Sequence, residues 1–277
     1  MAAIITLTTD FGTADAYVAT MKGVILGLHP QATIVDISHA IEPQNVLQAA
    51  FVLSTVYPYF PAGTIHLAVV DPGVGSRRKA IILKTPTALF VSPDNGILSY
   101  LIDEHGKSHG KPARQISSSA EPRKLPAGLE AVAITSSEYW RQPVSSTFHG
   151  RDIFAPVAAH LSLGLPLKKF GDRLEQVHIF DMPRPYKNAR GDLVGRVLHI
   201  DNFGNLITNI RSSDLPAGKV TVAVGRHRIH GLSGFYSHDR GLAAILGSSG
   251  YLEISLKNGS AAAFLAAKVG HEVKIEA

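Results

Sequence analysis

The sequence predicts an α/β protein, with an N-terminal α/β domain built on a mostly parallel sheet and a smaller C-terminal antiparallel β-barrel domain. Three observations carry this. Over residues 1–180 short β-rich runs alternate with helical patterns, the order that lays helices on the faces of a parallel sheet. Several of these runs are apolar throughout, as strands covered on both faces are. Beyond residue 191 the apolar period switches to two, and three hairpins fall within about 65 residues, which makes a small antiparallel barrel or sandwich.

Taken in order, strands are expected at 4–7, 33–37, 64–70, 80–84 and 88–92. Between the first two, Val18, Met21, Ile25 and Leu28 recur at helical spacing until Pro30 stops the stripe. A second helix covers 45–56 ahead of Pro58, and a third follows Asp94 to about Glu104, with Asp94 or Asn95 as its N-cap. From 111 to 129 the composition turns to Ser, Pro and Lys, which reads as a functionally silent surface insertion. Strand returns at 130–135, and an apolar-striped helix over 151–163 is closed by Gly164 and Pro166. Residues 181–191, with Pro183 and Pro185, read as the linker, leaving domains at 1–180 and 192–277. The hairpins then follow. Strands 193–200 and 206–210 flank Asp201-Asn202-Phe203-Gly204-Asn205; 220–224 and 227–229 flank Gly225-Arg226; 242–246 and 251–255 flank Gly247-Ser248-Ser249-Gly250.

Composition removes several function classes. The chain has 277 residues, 45% hydrophobic and 18% charged, enough apolar content for a large core. Its net charge of +5 comes from 27 basic and 22 acidic residues, and the longest basic cluster is Arg77-Arg78-Lys79. Without a polybasic arm no nucleic-acid partner is expected, while a small anionic or zwitterionic ligand stays open. The absence of cysteine excludes disulfides, thiolate metal sites and a cysteine nucleophile. No signal-like N-terminus and no apolar window of about 18 residues is present, so a cytoplasmic protein without membrane association is expected.

The most informative stretch runs from Val69 to Lys79, where a buried-looking strand meets Asp71, Gly73, Gly75 and three cations. Ligand sites in open α/β sheets gather at the carboxyl ends of strands. Asp71 is therefore either a site residue or the start of a plain turn. Asp10 ends the first strand and would share that sheet edge, while Asp15 reads as an N-cap of the next helix. The run from Ser145 to Asp152 precedes a helix whose free N–H groups favour negative charge, and His149 beside Gly150 is either a ligand contact or a capping histidine. Other patterns are discounted. Gly73 and Gly75 begin a dinucleotide fingerprint, but Arg78 occupies its third glycine position. Asp10-Phe11-Gly12 lacks the other kinase elements. Thirteen histidines suggest metal, yet His105 with His109 and His227 with His230 sit in loop or strand contexts without supporting carboxylates, so no metal site is expected.

The segments TTDFGTADAYV, VVDPGVGSRRK, SPDNGIL, SSTFHGRDIFAPVAAHL, IDNFGNLITNI and GSSGYLEIS, in this order, resemble the S-adenosyl-L-methionine hydroxide adenosyltransferases, relatives of enzymes that fluorinate or chlorinate the same substrate. The resemblance runs from about residue 4 to the C-terminus. It implies hydrolysis of S-adenosyl-L-methionine to adenosine and L-methionine by water attacking the ribose 5′ carbon, with no cofactor beyond the substrate itself. It carries the catalytic roles to Asp71, Arg78 and His149, the seven-residue interval from Asp71 selecting Arg78 over Arg77. Asp10 is expected on the ribose hydroxyls, and Asp201, Ser248 and Ser249 around the methionine amine and carboxylate. Phe148, Phe203 and Tyr236 are expected against adenine or ribose, with Asn205 reading an adenine edge. In the halogenating relatives an uncharged residue replaces the aspartate and the turn at 201–205 is a residue longer. The resemblance also implies a homotrimer with sites at subunit interfaces. Two alternatives stay open: a halide transferase on the same substrate and a non-catalytic adenosine-nucleoside binding protein.

Overall fold

The computed structural model describes residues 3–106, 117, 119–236 and 241–276. These form two compact units, one comprising the residues up to Phe180 other than Ser117, the second comprising Ser117 and those from Asp181 onward. The first unit holds strands β1 (Ile4–Thr9), β2 (Thr33–Ser38), β3 (Thr64–Val69), β4 (Ala80–Lys84), β5 (Ala88–Pro93), β6 (Glu121–Lys124), β7 (Glu130–Ala133), β8 (Arg173–Leu174) and β9 (Gln176–Ile179). Its helices are α1 (Tyr17–Leu28), α2 (Val46–Val56), α3 (Ser99–Gly106) and α4 (Ala155–Ser162).

The main sheet has the order β2-β1-β3-β5-β4-β7-β8. Strands β2, β1, β3 and β5 run parallel; β4 is antiparallel to β5, β7 to β4 and β8 to β7, so β4 and β8 alone oppose the rest of this sheet. Every residue of β3 is buried, as is β1 after its first residue. That is the reason these strands read as unbroken apolar or threonine runs. Ile5, Leu7, Leu67 and Val91 share a core with Met21 and Ile25 of α1 and with Val157 and Ala158 of α4. Leu28, the last member of the expected stripe, is instead 39% exposed. Asn45 caps α2, its Oδ1 accepting from the Gln48 N–H at 3.0 Å.

Several local expectations are corrected. Helix α1 starts at Tyr17 behind Ala16, so Asp15 stands a residue too early to cap it and is exposed. Helix α3 starts only at Ser99, because Asp94 and Asn95 spend their side chains on His178 and on the Val70 carbonyl. It runs on to Gly106 and so holds His105 in a helix, its Nδ1 2.9 Å from the Leu101 carbonyl. The helix expected over 151–163 begins as a π turn, Gly150–Phe154, before becoming α4. Within the span expected to be an insertion, 111–116 and 118 lie outside the described residues, and β6 pairs antiparallel with β9.

The second unit contains β10 (Tyr186–Lys187), β11 (Leu193–Ile200), β12 (Leu206–Arg211), β13 (Thr221–Val224), β14 (His227–His230), β15 (Leu242–Leu246), β16 (Tyr251–Leu256) and β17 (Glu272–Glu276), with α5 at Ala261–Leu265. They pair antiparallel in the order β14-β13-β17-β11-β12-β16-β15, with β10 on β11. The backbones of the outer strands β14 and β15 approach within 8 Å, which nearly closes a barrel. In β17 the period of two is plain, Val273 and Ile275 pointing inward to join Val197, Leu252 and Ile254. Part of the expected linker is thus structured, since β10 extends the barrel sheet.

One buried group makes the fold acid-sensitive. His66 lies in the middle of β3 with no exposed surface, its Nδ1 2.8 Å from Thr6 Oγ1 and its ring stacked on Phe90 at 5.0 Å. Burial pushes its pKa from 6.5 down to about 4. The unfolded chain therefore takes up this proton first, and the stability that neutral His66 lends is complete above pH 6.5 and lost as pH falls toward 4. The full loss is on the order of 3 kcal/mol. Denaturant midpoints measured across this window are expected to fall with pH, and less steeply in His66→Gln; an equal slope in both proteins would assign the acid sensitivity to another group.

Candidate active site

The parallel pairing of β1 with β3 sets Thr9 opposite Val69. Asp10 and Asp71 therefore leave the sheet at the same carboxyl edge. Both line a cleft of about 370 Å³ together with Phe11, Tyr17, Gln44, Phe148 and His149. Asp10 Oδ2 accepts from the Gln44 N–H at 2.8 Å, which fixes the carboxylate at the rim.

After Asp71 the chain turns back on itself, the Val74 N–H donating to the Asp71 carbonyl at 3.2 Å and the Ser76 N–H to that of Gly73 at 3.0 Å. The return brings Arg78 onto the carboxylate. Arg78 Nε donates to Asp71 Oδ1 at 2.8 Å and Nη2 donates to Oδ2. The pair is nearly dry, with 11% of the Arg78 side chain and 5% of the Asp71 side chain exposed. A fork-to-fork pair of this kind fixes orientation as well as charge. Nη2 also donates to His149 Nδ1 at 3.2 Å, and the guanidinium lies over the Phe154 ring, 5.2 Å from its centroid. Arg77 and Lys79 are both exposed, and neither lines the cleft.

The Arg78 contact defines the histidine. Guanidinium has no acceptor, so His149 Nδ1 carries no proton and the neutral ring keeps its hydrogen on Nε2. Burial, and then the Arg78 charge, hold the His149 pKa below 6.5. The loop that carries His149 is closed by Asp152, whose side chain is fully buried. Asp152 accepts from Arg151 Nε at 2.6 Å and Nη2 at 2.8 Å, and from the Ser145 N–H at 2.8 Å. Burial pushes the Asp152 pKa up, but these hydrogen bonds outweigh it and the carboxyl lies below 3.8. The segment from Ser145 to Asp152 is thereby closed into a rigid loop. Gly150 within it is buried against Met21 and Phe148.

Phe11, Tyr17 and Phe148 form a triangle of aromatic rings with centroids 5.1–5.8 Å apart. Tilted and edge-to-face contacts hold the three as one apolar wall. Sequence reasoning picked Phe148 alone from this wall. Phe11 and Tyr17 lay within the same motif as Asp10, and their nearness to it was the available signal. Gln44 and Asp152 gave none, because one reaches the site from beyond β2 in the chain and the other acts through its buried carboxylate.

The remaining expected residues belong to the second unit. Asp201 Oδ1 accepts from the N–H groups of Phe203 at 2.9 Å and Asn205 at 2.8 Å, and Oδ2 accepts from Asn205 Nδ2 at 2.8 Å. Phe203 is 78% exposed at the tip of this turn. Tyr236 OH donates to Glu253 Oε2 at 2.8 Å, and burial with this carboxylate partner pushes the Tyr236 pKa up to about 12. Glu253 is buried, which, together with the Asp201 charge, raises its pKa despite the Tyr236 hydrogen bond. It was not anticipated from the sequence. Its strand, β16, reads as apolar, and a carboxylate in such a run was the signal to follow. Ser248 and Ser249 form the turn between β15 and β16.

An arginine-clamped carboxylate and a neutral histidine beside an aromatic wall, at the carboxyl edge of a parallel sheet, define a site for a small ligand with an apolar ring and polar appendages. The N-terminal domain signature of the SAM hydroxide adenosyltransferases matches residues 5–171, and the C-terminal domain signature matches residues 195–274. The chain belongs to the SAM hydroxide adenosyltransferase family. It is 34% identical to an "(R)-S-adenosyl-L-methionine hydrolase" of Salinispora arenicola over 275 residues, covering 99% of this chain and 97% of that protein. It is 31% identical to a "Fluorinase" of Nocardia brasiliensis over 238 residues, 76% of this chain and 72% of that protein. A crystal structure of an uncharacterized conserved protein from Thermotoga maritima superposes with a TM-score of 0.84 at 36% identity, covering 98% of this chain and 99% of that one.

One glycine couples the two loops of the site. At Gly75, with φ +77°, an added Cβ would meet the Ser146 carbonyl oxygen at 2.7 Å. Gly75→Ala is expected to push the 145–149 loop off Arg78 and to destabilise the fold by about 1–3 kcal/mol. Denaturant unfolding checks the cost, and a variant as stable as the parent would refute the close approach.

Proposed function

We propose that the protein hydrolyses S-adenosyl-L-methionine to adenosine and L-methionine, with Asp71, Arg78 and His149 as catalytic residues. The observation that supports this most directly is the Arg78 bridge between Asp71 and His149 on the cleft wall. Attack at the ribose 5′ carbon displaces a neutral thioether from a sulfonium, so the leaving group needs no proton. Activating water is the difficult part, given its pKa of about 15.7 in bulk.

Each residue has a role that its partners support. Asp71 still has lone pairs free of Arg78 and accepts a hydrogen bond from the water, then its proton. Arg78 fixes the carboxylate and His149 through one guanidinium. His149 Nε2–H donates to the water oxygen and stabilises the charge that develops there. The oxygen lone pair forms the bond to the 5′ carbon while the carbon–sulfur pair departs with methionine. Holding water and carbon in line contributes several kcal/mol, about 7–11 at the extreme. Asp10 takes the ribose hydroxyls, and the ring triangle with Phe148 packs on the nucleoside.

The residues of the second unit complete the reading. Asp201, Asn205, Ser248 and Ser249 hold the methionine and adenine ends, with Phe203 and Tyr236 against the rings, contributed by a neighbouring subunit of a homotrimer. The exposure of Phe203 at 78% and Tyr236 at 50% supports a role as contact surfaces. Among the described residues no helix is long and apolar enough to cross a membrane, and a cytoplasmic location is part of the proposal. No cofactor is required, since the substrate brings its own leaving group.

The fluorinase relatives make halide transfer the competing reading. A carboxylate at the nucleophile's place repels a halide ion and binds a water, which favours hydrolysis. In oxygen-18 water the label is expected in the adenosine 5′-hydroxyl by mass spectrometry; a 5′-halogenated nucleoside formed in chloride or fluoride would overturn the hydrolytic reading. Asp71→Ala and His149→Ala are each expected to lower kcat by ~100-fold or more while ligand affinity is kept, and unchanged turnover would remove that residue from the mechanism. Turnover is also expected to fall on the acid side at a pH below 6.5, because protonating Nδ1 sets a cation against Arg78. An acid limb above 6.5 in a kcat profile would contradict the neutral histidine.

A further inference from the structure

The loop that carries Asp71 and Arg78 leaves β3 after Val69 and enters β4 at Ala80. Those strands are not neighbours: β5 lies between them in the sheet. The loop therefore spans the carboxyl end of β5, and the residues that follow β5 sit beneath it. Two consecutive ones hold its feet. The Asp94 N–H donates to the Lys79 carbonyl at 2.9 Å, and Asn95 Nδ2 donates to the Val70 carbonyl at 2.8 Å. The second bond falls on the peptide that immediately precedes Asp71.

This pair is itself tied down. Asp94 is 6% exposed, its Oδ1 accepting from the His178 N–H and its Oδ2 lying 2.8 Å from His178 Nδ1, so β9 anchors it. Asn95 Oδ1 accepts from the Ile97 N–H at 3.3 Å, which orients its amide. Gly96, at φ +96°, leaves no room for a Cβ, which would meet the Phe180 ring at 2.4 Å. Each residue of Asp94-Asn95-Gly96 thus has a fixed place, and none lines the cleft that holds Asp71.

We infer that Asn95 is a positioning residue for the reaction, acting through the Val70–Asp71 peptide to hold the Asp71 carboxylate in line with its water. The inference rests on the hydrolytic reading above. Asp94 supplies the second foot through its backbone, and its side chain transmits the anchorage of β9. Asn95 also borders a cavity of about 520 Å³ shared with Glu42, Gln44 and Ser119. Truncating it opens that cavity further instead of leaving a sealed void, so the variant is expected to fold.

The test compares Asn95→Ala and the isosteric Asn95→Asp with the parent protein. A misplacement of about 1 Å at the reacting centre costs up to ~100-fold, so kcat is expected to fall ~10- to 100-fold. KM for S-adenosyl-L-methionine is expected to change less than about twofold, because Asn95 touches no substrate. In an Asp71→Asn background the same change is expected to have little further effect, as coupled residues are non-additive. Deuterium exchange, read by mass spectrometry, is expected to quicken in residues 71–79 and not in β1. A kcat within twofold of the parent, a rise confined to KM, a full loss on top of Asp71→Asn, or unchanged exchange in the loop would each overturn the inference. If the parent releases no adenosine, the hydrolytic reading fails, and the exchange measurement still decides whether Asn95 holds the loop.

Discussion

The Arg78 guanidinium is the interaction on which the site depends. Its fork spans both oxygens of Asp71, one of its nitrogens reaches His149, and its flat face rests on Phe154. A nearly dry carboxylate is costly unless paired, and removing one partner of such a pair leaves a charge without compensation. Arg78 therefore fixes the orientation of the Asp71 carboxylate and the tautomer of His149 together. Lysine could not do this, since one ammonium cannot present a planar fork to a carboxylate and a separate N–H to an imidazole.

Around that cation the fold supplies two rigid walls. One is the sheet edge, where parallel β1 and β3 bring Asp10 and Asp71 out side by side. The other is the 145–149 loop, held by Asp152, a buried carboxylate satisfied by Arg151 and the backbone of Ser145. The aromatic triangle closes the gap between them. The chemistry thus rests on groups whose positions are settled by secondary structure and by buried hydrogen bonds, with little left to side-chain freedom.

The strand framework was legible in the sequence because burial leaves a periodic trace. β4, β11 and β15 lie at the limits read from the sequence, and most other strands differ by only a residue or two at an end. What stayed hidden is long-range. Asp15, Asp94 and Asn95 look like helix caps locally, yet a residue too early or a partner across the sheet decides otherwise. The π turn at Gly150–Phe154 leaves no mark in an apolar stripe. The pairing of β6 with β9 joins segments some fifty residues apart, one of them inside a stretch whose composition resembles a loop. At the site, the residues bearing charge at strand ends were readable, and the linear spacing of Asp71 and Arg78 matched their pairing in space. Gln44 and Asp152 became visible only when the folded chain set them beside Asp10 and His149.

The span of the loop over β5 has a consequence for the free energy of the reaction. Its feet stand two strand spacings apart, about 10 Å, a distance that the sheet sets when the chain folds. The conformational entropy of the segment bearing Asp71 and Arg78 is therefore surrendered at folding, well before any ligand arrives. Binding energy from the rest of the substrate is then free to align the scissile carbon, because the groups facing the water are already in place. The fold thus acts as a reservoir of order for the chemical step, with its cost carried in the stability of the domain.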